Sequence, residues 1–365
     1  MKHPFSNPAA AAALAGLAIA ALSLLIPTGC SRTEGATRES DGTRRLVVYS
    51  PHPEDITRYI VREFRQRTGI EVTIIAAGTG ELIERMKHAA VRTAGAGAGG
   101  RVLSGEADLI WGGGIESLET VTEYFEAVDS PTDAELNPVY LASHRLWRPF
   151  SVLPAVVIFN KSLIPEEEWP DSWEDLLSPR FRKRLIVADP EKSGSSYTIL
   201  ATMLYTMKKT AGHTFGGWSY VQRFVEQLGP DGIASSSSMV YRAVAAGDFY
   251  AGITFENYAL SLEQTGSNVG YRYPAEGTSA VPDGIALLAG AKNRAEALEF
   301  MEFVLGPDVQ KILLPRWQRR PVRLDAEEAG PLLNGKIIRY PVDEAAVSRD
   351  AILERWKILR AAELP

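Results

Sequence analysis

Residues 46–76, "LVVYSPHPEDITRYIVREFRQRTGIEVTIIA", decide the fold. They open with a short β-rich apolar run and pass through turn residues into a helical stripe of Ile56, Ile60 and Phe64. Gly69 predicts the end of that helix, because glycine readily adopts the left-handed conformation found at many helix ends. The final alternating residues predict a second strand. Two strands joined by one helix form a β–α–β unit, whose strands are parallel.

Strands and helical stripes keep alternating after this unit. A helix is predicted at 82–90, a strand at 107–111, and a further helix at 118–125 after three glycines. Successive β–α units predict a mostly parallel sheet with helices on both faces. Residues 93–101, "TAGAGAGGR", interrupt the pattern and predict a glycine-rich surface loop.

A second set of strands and helices begins with a long apolar extended run at 151–160. Another such run lies at 282–290, and both runs are candidates for chain crossings between two α/β lobes. The prediction is a first lobe of 46–150 plus 283–365, which includes the C-terminal helices, and a second lobe of 151–282. The cleft between such lobes is the expected ligand site.

Composition limits the classes of function. The chain has 365 residues, 45% of them apolar, which is enough for two folded domains. Thirty-nine basic and 45 acidic side chains give a net charge of −6, so no overall positive field attracts nucleic acid. Any anion must be attracted locally.

The first 29 residues predict an export signal, because an apolar run at 9–26 follows a basic start. Cys30 is the only cysteine and follows Gly29, which resembles a bacterial lipobox and predicts lipid attachment at Cys30, although Pro27 departs from the usual leucine. An ordinary cleaved signal peptide and an uncleaved membrane span are the alternatives. Residues 30–45 are polar and predict a flexible tether.

Strand-to-helix junctions carry the candidate binding groups. The first N–H groups of a helix lack intrahelical partners and carry partial positive charge, so several junctions meeting in one cleft would hold a small oxyanion. The alternative is that each serine caps its own helix. Ser193 is the expected cap, whereas Ser195 and Ser196 are the expected ligand donors. The junctions lie at 49–55, 78–81, 111–114, 193–197 and 235–238.

Other side chains near these junctions have two interpretations each. Glu256 and Tyr258 either contact the ligand or form an exposed strand end. His52 is either a protonated anion donor or a turn residue. Trp111 is either a ligand platform or part of the core, and the core is favoured. The basic stretch 316–323 either sends one guanidinium into the cleft or is a solvated patch, which is favoured.

Signatures of enzymes are missing from the sequence. It contains no H-E-x-x-H, Walker or G-x-S-x-G motif, and its five histidines are scattered without metal spacing. We therefore expect no catalytic residue, no metal site and no cofactor.

Several stretches together resemble the periplasmic solute-binding proteins of ABC importers. The similar branch holds ferric-ion, hexose-phosphate, phosphoglycerate and aminoethylphosphonate binders, and the similarity runs from about Leu46 to Leu314. The stretches are "LVVYSPHPEDI" (46–56), "GTGELIERMK" (78–87), "ADLIWGGG" (107–114), "SWEDLLSPRFRKRLIVADPEKSGSSY" (172–197) and "VAAGDFYAGITFENYA" (244–259).

The resemblance implies a type II periplasmic-binding-protein fold. Two lobes, each a mostly parallel sheet flanked by helices, are joined by two crossover segments and close on a ligand that passes to a membrane permease. The ligand-binding positions carried over by the resemblance, together with those from the junctions, are Ser50, His52, Thr79, Gly80, Trp111, Gly112, Ser193, Gly194, Ser195, Ser196, Glu256 and Tyr258.

These observations predict a monomeric, lipid-anchored receptor outside the cytoplasm for an organophosphate or phosphonate. The alternative is a ferric receptor using Tyr258, His52 and Glu256, but "ENYA" has one tyrosine where ferric binders of this branch have adjacent tyrosines. Neutral hydroxyls also suit an oxyanion better than a hard trivalent cation. An enzyme acting on a phosphorylated metabolite is a third hypothesis.

Overall fold

The computed structural model describes residues 43–94, 106–142, 144–208, 214, 216–326 and 336–363. The predicted export signal, Cys30 and residues 95–101 of the predicted glycine-rich loop lie outside these ranges. Within them, no helix combines the length and the apolar character that a membrane span requires. Residues Thr43–Pro365 belong to one compact unit.

Strands and α-helices alternate along most of the described chain. The strands are β1 (Arg45–Ser50), β2 (Glu71–Ala76), β3 (Leu109–Gly114), β4 (Arg148–Asn160), β5 (Leu185–Ala188), β6 (Ile233–Ala234), β7 (Ala251–Phe255), β8 (Val269–Arg272), β9 (Ala280–Leu287) and β10 (Arg320–Pro321). The α-helices are α1 (Glu54–Thr68), α2 (Thr79–Ala94), α3 (Ile115–Glu119), α4 (Gly194–Thr206), α5 (Trp218–Gln227), α6 (Ser237–Ala246), α7 (Glu256–Gln264), α8 (Arg294–Leu305), α9 (Pro307–Trp317), α10 (Val342–Val347) and α11 (Arg349–Glu363). Short 3-10 helices lie at Thr122–Tyr124, Pro131–Glu135, Pro138–Tyr140, Glu166–Glu168, Glu174–Leu177 and Pro179–Phe181.

The opening β–α–β unit forms as its sequence predicts. Ile56, Ile60 and Phe64 are buried on one face of α1, and Gly69 ends the helix at φ 72° with its N–H donating to the carbonyl of Arg65. Left-handed φ costs glycine little because it has no β carbon. β1 and β2 then pair in parallel along their full length.

The strands join into one sheet with the order β2-β1-β3-β9-β4-β7-β5-β6, while β8 and β10 also pair with β4. Pairing is parallel among β2, β1 and β3 and again among β7, β5 and β6, whereas every pair that includes β4 or β9 is antiparallel. The α/β class is thus confirmed. The parallel arrangement is restricted to the two ends of the sheet.

β4 connects the two ends, and all of its residues are buried. Its residues 148–154 pair with β9 and β10, and its residues 155–160 pair with β7 and β8. The predicted crossing at 151–160 therefore coincides with a change of pairing partners inside one continuous strand. The predicted lobe boundaries themselves stay a prediction.

The hydrophobic core is divided in the same way. One cluster packs α1, α8 and α9 against β1 and β3, and another packs α4 and α5 against β5 and β7. Ile352 and Trp356 of α11 belong to the second cluster. The sequence placed all C-terminal helices with the first lobe, but the apolar face of α11 packs on the second half.

Candidate functional site

The strand-to-helix junctions converge on two neighbouring cavities. A large cavity of about 1430 Å³ is lined by residues from four of the predicted junctions. The remaining junction lines an inner chamber of about 90 Å³ through Gly113 and Gly114. Seven residues line both spaces and form the boundary between the cavities: Pro51, His52, Pro53, Thr79, Ser195, Ser237 and Tyr258.

Thr79 is the point at which three junctions meet. A β carbon added to Gly113 would lie 2.8 Å from Thr79 Cγ2, and one added to Gly194 would lie 3.3 Å from Thr79 Cβ. Gly113 lies near the end of β3, whereas Gly194 begins α4, which packs on the other half of the sheet. A side chain at Gly113 would force Thr79 to move and one at Gly194 would make a tight contact, so the glycines let the junctions of both halves approach closely.

The serines that begin α4 have three different roles. Ser193 caps the helix by accepting a hydrogen bond from the N–H of Ser196 at 3.3 Å, which confirms the expected cap. Ser195 lines both cavities. Ser196 is buried and its hydroxyl donates to the carbonyl of Ala188, so it lines neither cavity. Ser195 therefore has the expected position of a ligand donor, and Ser196 does not.

Ser50 and Gly112 shape the first junction. The Ser50 hydroxyl donates to the carbonyl of Trp111 at 2.8 Å and accepts from the N–H of His52 at 3.2 Å. Gly112, at φ 113°, leaves space for the Nε2 atom of His52, which lies 2.9 Å from the position of a β carbon. Ser50 is thus engaged in holding the turn, although it also lines the large cavity.

His52 is a neutral imidazole at the wall between the cavities. Burial lowers its pKa well below the ordinary value of 6.5, and the positive charge of Arg319 lowers the pKa further. Asp283 lies 3.5 Å from Nε2, but that carboxylate is already paired with Arg319 at 2.7 Å. His52 therefore contributes a hydrogen-bonding ring rather than a positive charge, which differs from the interpretation as a protonated anion donor.

Trp111 belongs to the core, as the favoured interpretation expected. It is fully buried, and its ring lies 4.7 Å from His52, 5.3 Å from Phe150 and 5.4 Å from Phe300. It lines neither cavity. Its position behind His52 supports the ring that does reach the cavity.

The base of the inner chamber holds a buried ion pair that the sequence did not single out. Arg319 donates to Asp283 at 2.7 Å and to Ser151 at 2.8 Å, and Asp283 also accepts from both the N–H and the hydroxyl of Ser151. Arg319 and Asp283 both line the chamber. The sequence feature that could have indicated Arg319 is the basic stretch 316–323, for which a solvated patch was the favoured interpretation.

Glu256 is engaged away from both cavities. Its carboxylate accepts two hydrogen bonds from Arg320 at 2.7 Å and one from the hydroxyl of Tyr273. It is buried and lines neither space. Glu256 therefore does not have the expected role of a ligand acceptor. It forms a structural ion pair that joins α7 to β10.

Tyr258 contributes an aromatic face to both cavities. Its ring stacks on Tyr241 with centroids 4.5 Å apart and an interplanar angle of 13°, and Tyr241 lines the large cavity. Burial raises the pKa of Tyr258, so its phenol stays protonated.

Eight of the twelve predicted ligand positions thus lie at a cavity wall. Among the described residues, no group of three or more histidine, cysteine, aspartate or glutamate side chains is arranged to hold a metal ion. The eight are Ser50, His52, Thr79, Gly80, Ser193, Gly194, Ser195 and Tyr258, and the four that line neither cavity are Trp111, Gly112, Ser196 and Glu256.

A cleft lined by helix starts is consistent with the family that the chain matches. The model of the family described as "Bacterial extracellular solute-binding protein" matches residues 108–347. The chain belongs to this family. It is a solute-binding protein of the ABC importer type.

Individual relatives differ in what their names say they bind. The chain is 23% identical to the Fe(3+)-binding periplasmic protein of Serratia marcescens over 73% of this chain and 75% of that one. It is 24% identical to a putative 2-aminoethylphosphonate-binding periplasmic protein of Salmonella typhimurium, covering 87% and 93% of the two chains. A match to an uncharacterized Haemophilus influenzae protein, 27% identical, covers 52% of this chain and 55% of that one.

Solved structures confirm the fold. The structure of the periplasmic binding protein AfuA from Actinobacillus pleuropneumoniae, with exogenous fructose-6-phosphate bound, superposes with a TM-score of 0.75. The alignment covers 87% of this chain and 98% of that one at 22% identity, which establishes similarity of fold. The predicted type II periplasmic-binding-protein fold is therefore confirmed.

Proposed function

We propose that this protein captures a small organophosphate or phosphonate in the cleft and delivers it to an ABC permease. The observation that carries the proposal is the inner chamber, which Thr79, Ser195 and Ser237 from three separate junctions line together with Arg319. Hydroxyl and guanidinium donors around a small enclosed space suit the oxygens of a phosphoryl group.

The electrostatics of the chamber support a strongly hydrogen-bonded anion. Arg319 is paired with Asp283, so it offers donors without a large surplus of positive charge. Each junction adds the partial positive charge of a helix N-terminus, and the N-termini of α2, α4 and α6 all reach the cavities. An anion bound there replaces water with fixed donors, which is the chemistry of phosphate recognition at helix starts.

We propose that binding closes two lobes around the solute. The first proposed lobe comprises residues 46–150 and 283–365, and the second comprises residues 151–282. Helix α11 is an exception, because it packs on the second half. β4 carries the chain across, and Thr79 and Gly194 come from opposite sides of the cleft. Closure would bury the anion in the inner chamber, whose wall includes Thr79 and Ser195.

Ferric binding is the second candidate, because the chain is similar to a protein named for Fe(3+) binding and because Tyr258 and His52 both line the inner chamber. Two observations oppose it. Glu256 is committed to Arg320 and Tyr273, and the raised pKa of Tyr258 makes its phenolate costly. Iron would have to break the contacts of Glu256 and remove the phenolic proton of Tyr258.

We also propose that Cys30 carries a lipid that tethers the folded part to the membrane. Metabolic labelling with a radioactive fatty acid should mark the native protein and should fail for Cys30→Ser. Labelling that persists in Cys30→Ser would overturn this part of the proposal.

A thermal-shift and calorimetry screen tests the ligand class. Phosphate monoesters and alkylphosphonates should raise the melting temperature, since a ligand that binds only the native state stabilises it. Thr79→Val keeps the shape of the side chain but removes its hydroxyl, so we expect about a tenfold weaker affinity.

The matched control is Thr265→Val, an exposed threonine after α7 that lies outside both cavities. It should bind as the native protein does. Stabilisation by ferric salts, with a visible tyrosinate colour and no response to any phosphorus compound, would refute the phosphoryl proposal and support iron.

A further inference from the structure

The last helix supplies a wall of the large cavity. Arg349, Asp350 and Leu353 of α11 line it, next to Ala346 and Val347 from the end of α10. The family model ends at residue 347, two residues before α11 begins. The first turn of α11 therefore adds to the cleft a set of side chains that the family model does not include.

Arg349 at this wall combines an aromatic contact with an unsatisfied nitrogen atom. Its guanidinium carbon lies 4.3 Å above the ring of Tyr197, and its Nη1 atom is buried without a hydrogen-bond partner. Within the described part of the chain, no carboxylate forms an ion pair with it. A desolvated guanidinium nitrogen without an acceptor is unusual, because buried polar groups are nearly always paired.

Among the described residues, no acidic side chain that lines the cavity lies within ion-pair distance of Arg349, and several of them have other partners. Glu81 pairs with Arg85, Glu84 with Lys87, and Glu119 with His144. These carboxylates are committed to cations on their own side of the cleft.

Glu116 is the buried acid whose charge Arg349 influences. Its carboxylate accepts a hydrogen bond from the hydroxyl of Thr198, and burial raises its pKa despite Arg349. Burial thus disfavours the charged form of the carboxyl group that interacts electrostatically with Arg349.

The chain on either side of Arg349 is anchored, and its guanidinium lies over the ring of Tyr197. Trp356 and Ile352 anchor α11 in the core of the second half, and Arg360 bonds Asp189 at 2.7 Å. At the other end, the hydroxyl of Tyr197 donates to the carbonyl of Ala345. A charged group fixed by its surroundings loses little entropy when a ligand binds.

We propose that Arg349 binds a second oxyanion of the solute, so that the ligand carries two separated oxyanions. One occupies the inner chamber beside Arg319 and the other lies at the start of α11. This inference rests on the proposed phosphoryl site. A guanidinium with a buried free nitrogen binds carboxylate or phosphate oxygens through directed, charge-assisted hydrogen bonds.

Matched pairs of ligands test the second contact by isothermal titration calorimetry. Glycerol 3-phosphate is compared with 3-phosphoglycerate, and fructose 6-phosphate with fructose 1,6-bisphosphate, so that each pair differs in one oxyanion group. We expect the native protein to bind at least one doubly anionic member about 10- to 100-fold more tightly than its partner. Arg349→Gln should abolish that preference and leave the affinity for the singly phosphorylated member within about twofold.

Arg355→Gln is the matched control, because Arg355 is an exposed arginine on the same helix that lies over Trp218. It should keep the preference. An equal loss of affinity for both members of a pair in Arg349→Gln would show a purely structural role and overturn the inference.

The outcomes also separate this inference from the proposed function. If the native protein binds phosphate esters but never prefers the doubly anionic member, the second contact is refuted and the phosphoryl site stands. If it binds none of the four compounds and no other phosphate ester or phosphonate, the proposed function fails and this inference fails with it.

Discussion

At the scale of single residues, the start of α4 shows how adjacent hydroxyls take different tasks. Ser195 lines both cavities, whereas Ser196 donates to the carbonyl of Ala188 beneath the helix. We expect Ser195→Ala to weaken phosphate-ester binding about tenfold with little change in stability. Ser196→Ala should instead lower the free energy of unfolding by about 1 kcal/mol and leave affinity nearly unchanged.

Calorimetry and urea unfolding of the two variants decide between these roles. Each variant is the control of the other, since the two residues are neighbours with the same side chain. Equal effects of both variants on affinity would contradict the assignment.

The buried imidazole of His52 predicts a pH dependence. Its pKa is lowered by burial and then by Arg319, so the folded protein holds it neutral while the unfolded chain titrates it near 6.5. Below that pH the unfolded state binds more protons, and stability falls by up to about 1.4 kcal/mol per pH unit from this group.

Urea unfolding at pH 7.5 and 5.5 measures this contribution. Between pH 7.5 and pH 5.5, the free energy of unfolding of His52→Gln should fall by about 1 kcal/mol less than that of the native protein. His88→Gln, which changes an exposed histidine of α2, should behave as the native protein does. A native-like pH dependence in His52→Gln would show that the imidazole is not buried as described.

At the scale of elements, Gly113 near the end of β3 sets how closely the junctions approach. Gly113 has φ 91°, and a β carbon there would meet Thr79 at 2.8 Å. We expect Gly113→Ala to reduce both stability and ligand affinity. The new methyl group would displace Thr79, and the backbone would be strained in its left-handed conformation. Together these effects should lower the free energy of unfolding by about 1–3 kcal/mol.

Gly266→Ala is the matched control for the backbone term. Gly266 has φ 79°, but nothing lies within 4 Å of its added β carbon. This variant should lose about 1 kcal/mol of stability and keep its affinity, as measured by urea unfolding and calorimetry. Equal losses in both variants would mean that the contact with Thr79 is unimportant.

Elements with a local cause were predictable, and those shaped by distant contacts were not. The apolar spacing and the terminal glycine of α1 lie within its own sequence, so its limits were predictable. The helix predicted at 118–125 instead stops at Glu119, because Phe125 forms a bridge to Leu288 and the carbonyl of Tyr124 accepts from the N–H of Ala289. Tertiary pairing here overrides helical spacing.

At the scale of the whole molecule, β4 links the two halves whose junctions form the cleft. A phosphate ester that binds both sides should shift the population toward a closed form. Small-angle X-ray scattering should therefore show a smaller radius of gyration after saturation with a tight-binding ester.

Thr79→Val provides the control at the same ester concentration. Because it loses a donor at the boundary of the cavities, it should need a higher ester concentration for the same contraction. An unchanged radius of gyration in the native protein, with binding verified by calorimetry, would contradict closure.

The sequence alone determined the α/β class, most element positions and the existence of hydroxyl-bearing junctions, because each follows from short-range spacing and turn chemistry. Only the tertiary structure decided which hydroxyls reach the cleft. In it, Ser196 and Glu256 bind partners within the protein, and Arg319 lines the inner chamber. It also brought Arg349 of α11 to the cavity wall. The reason is that a side chain's partners depend on packing between segments far apart in the chain, which periodicity does not encode.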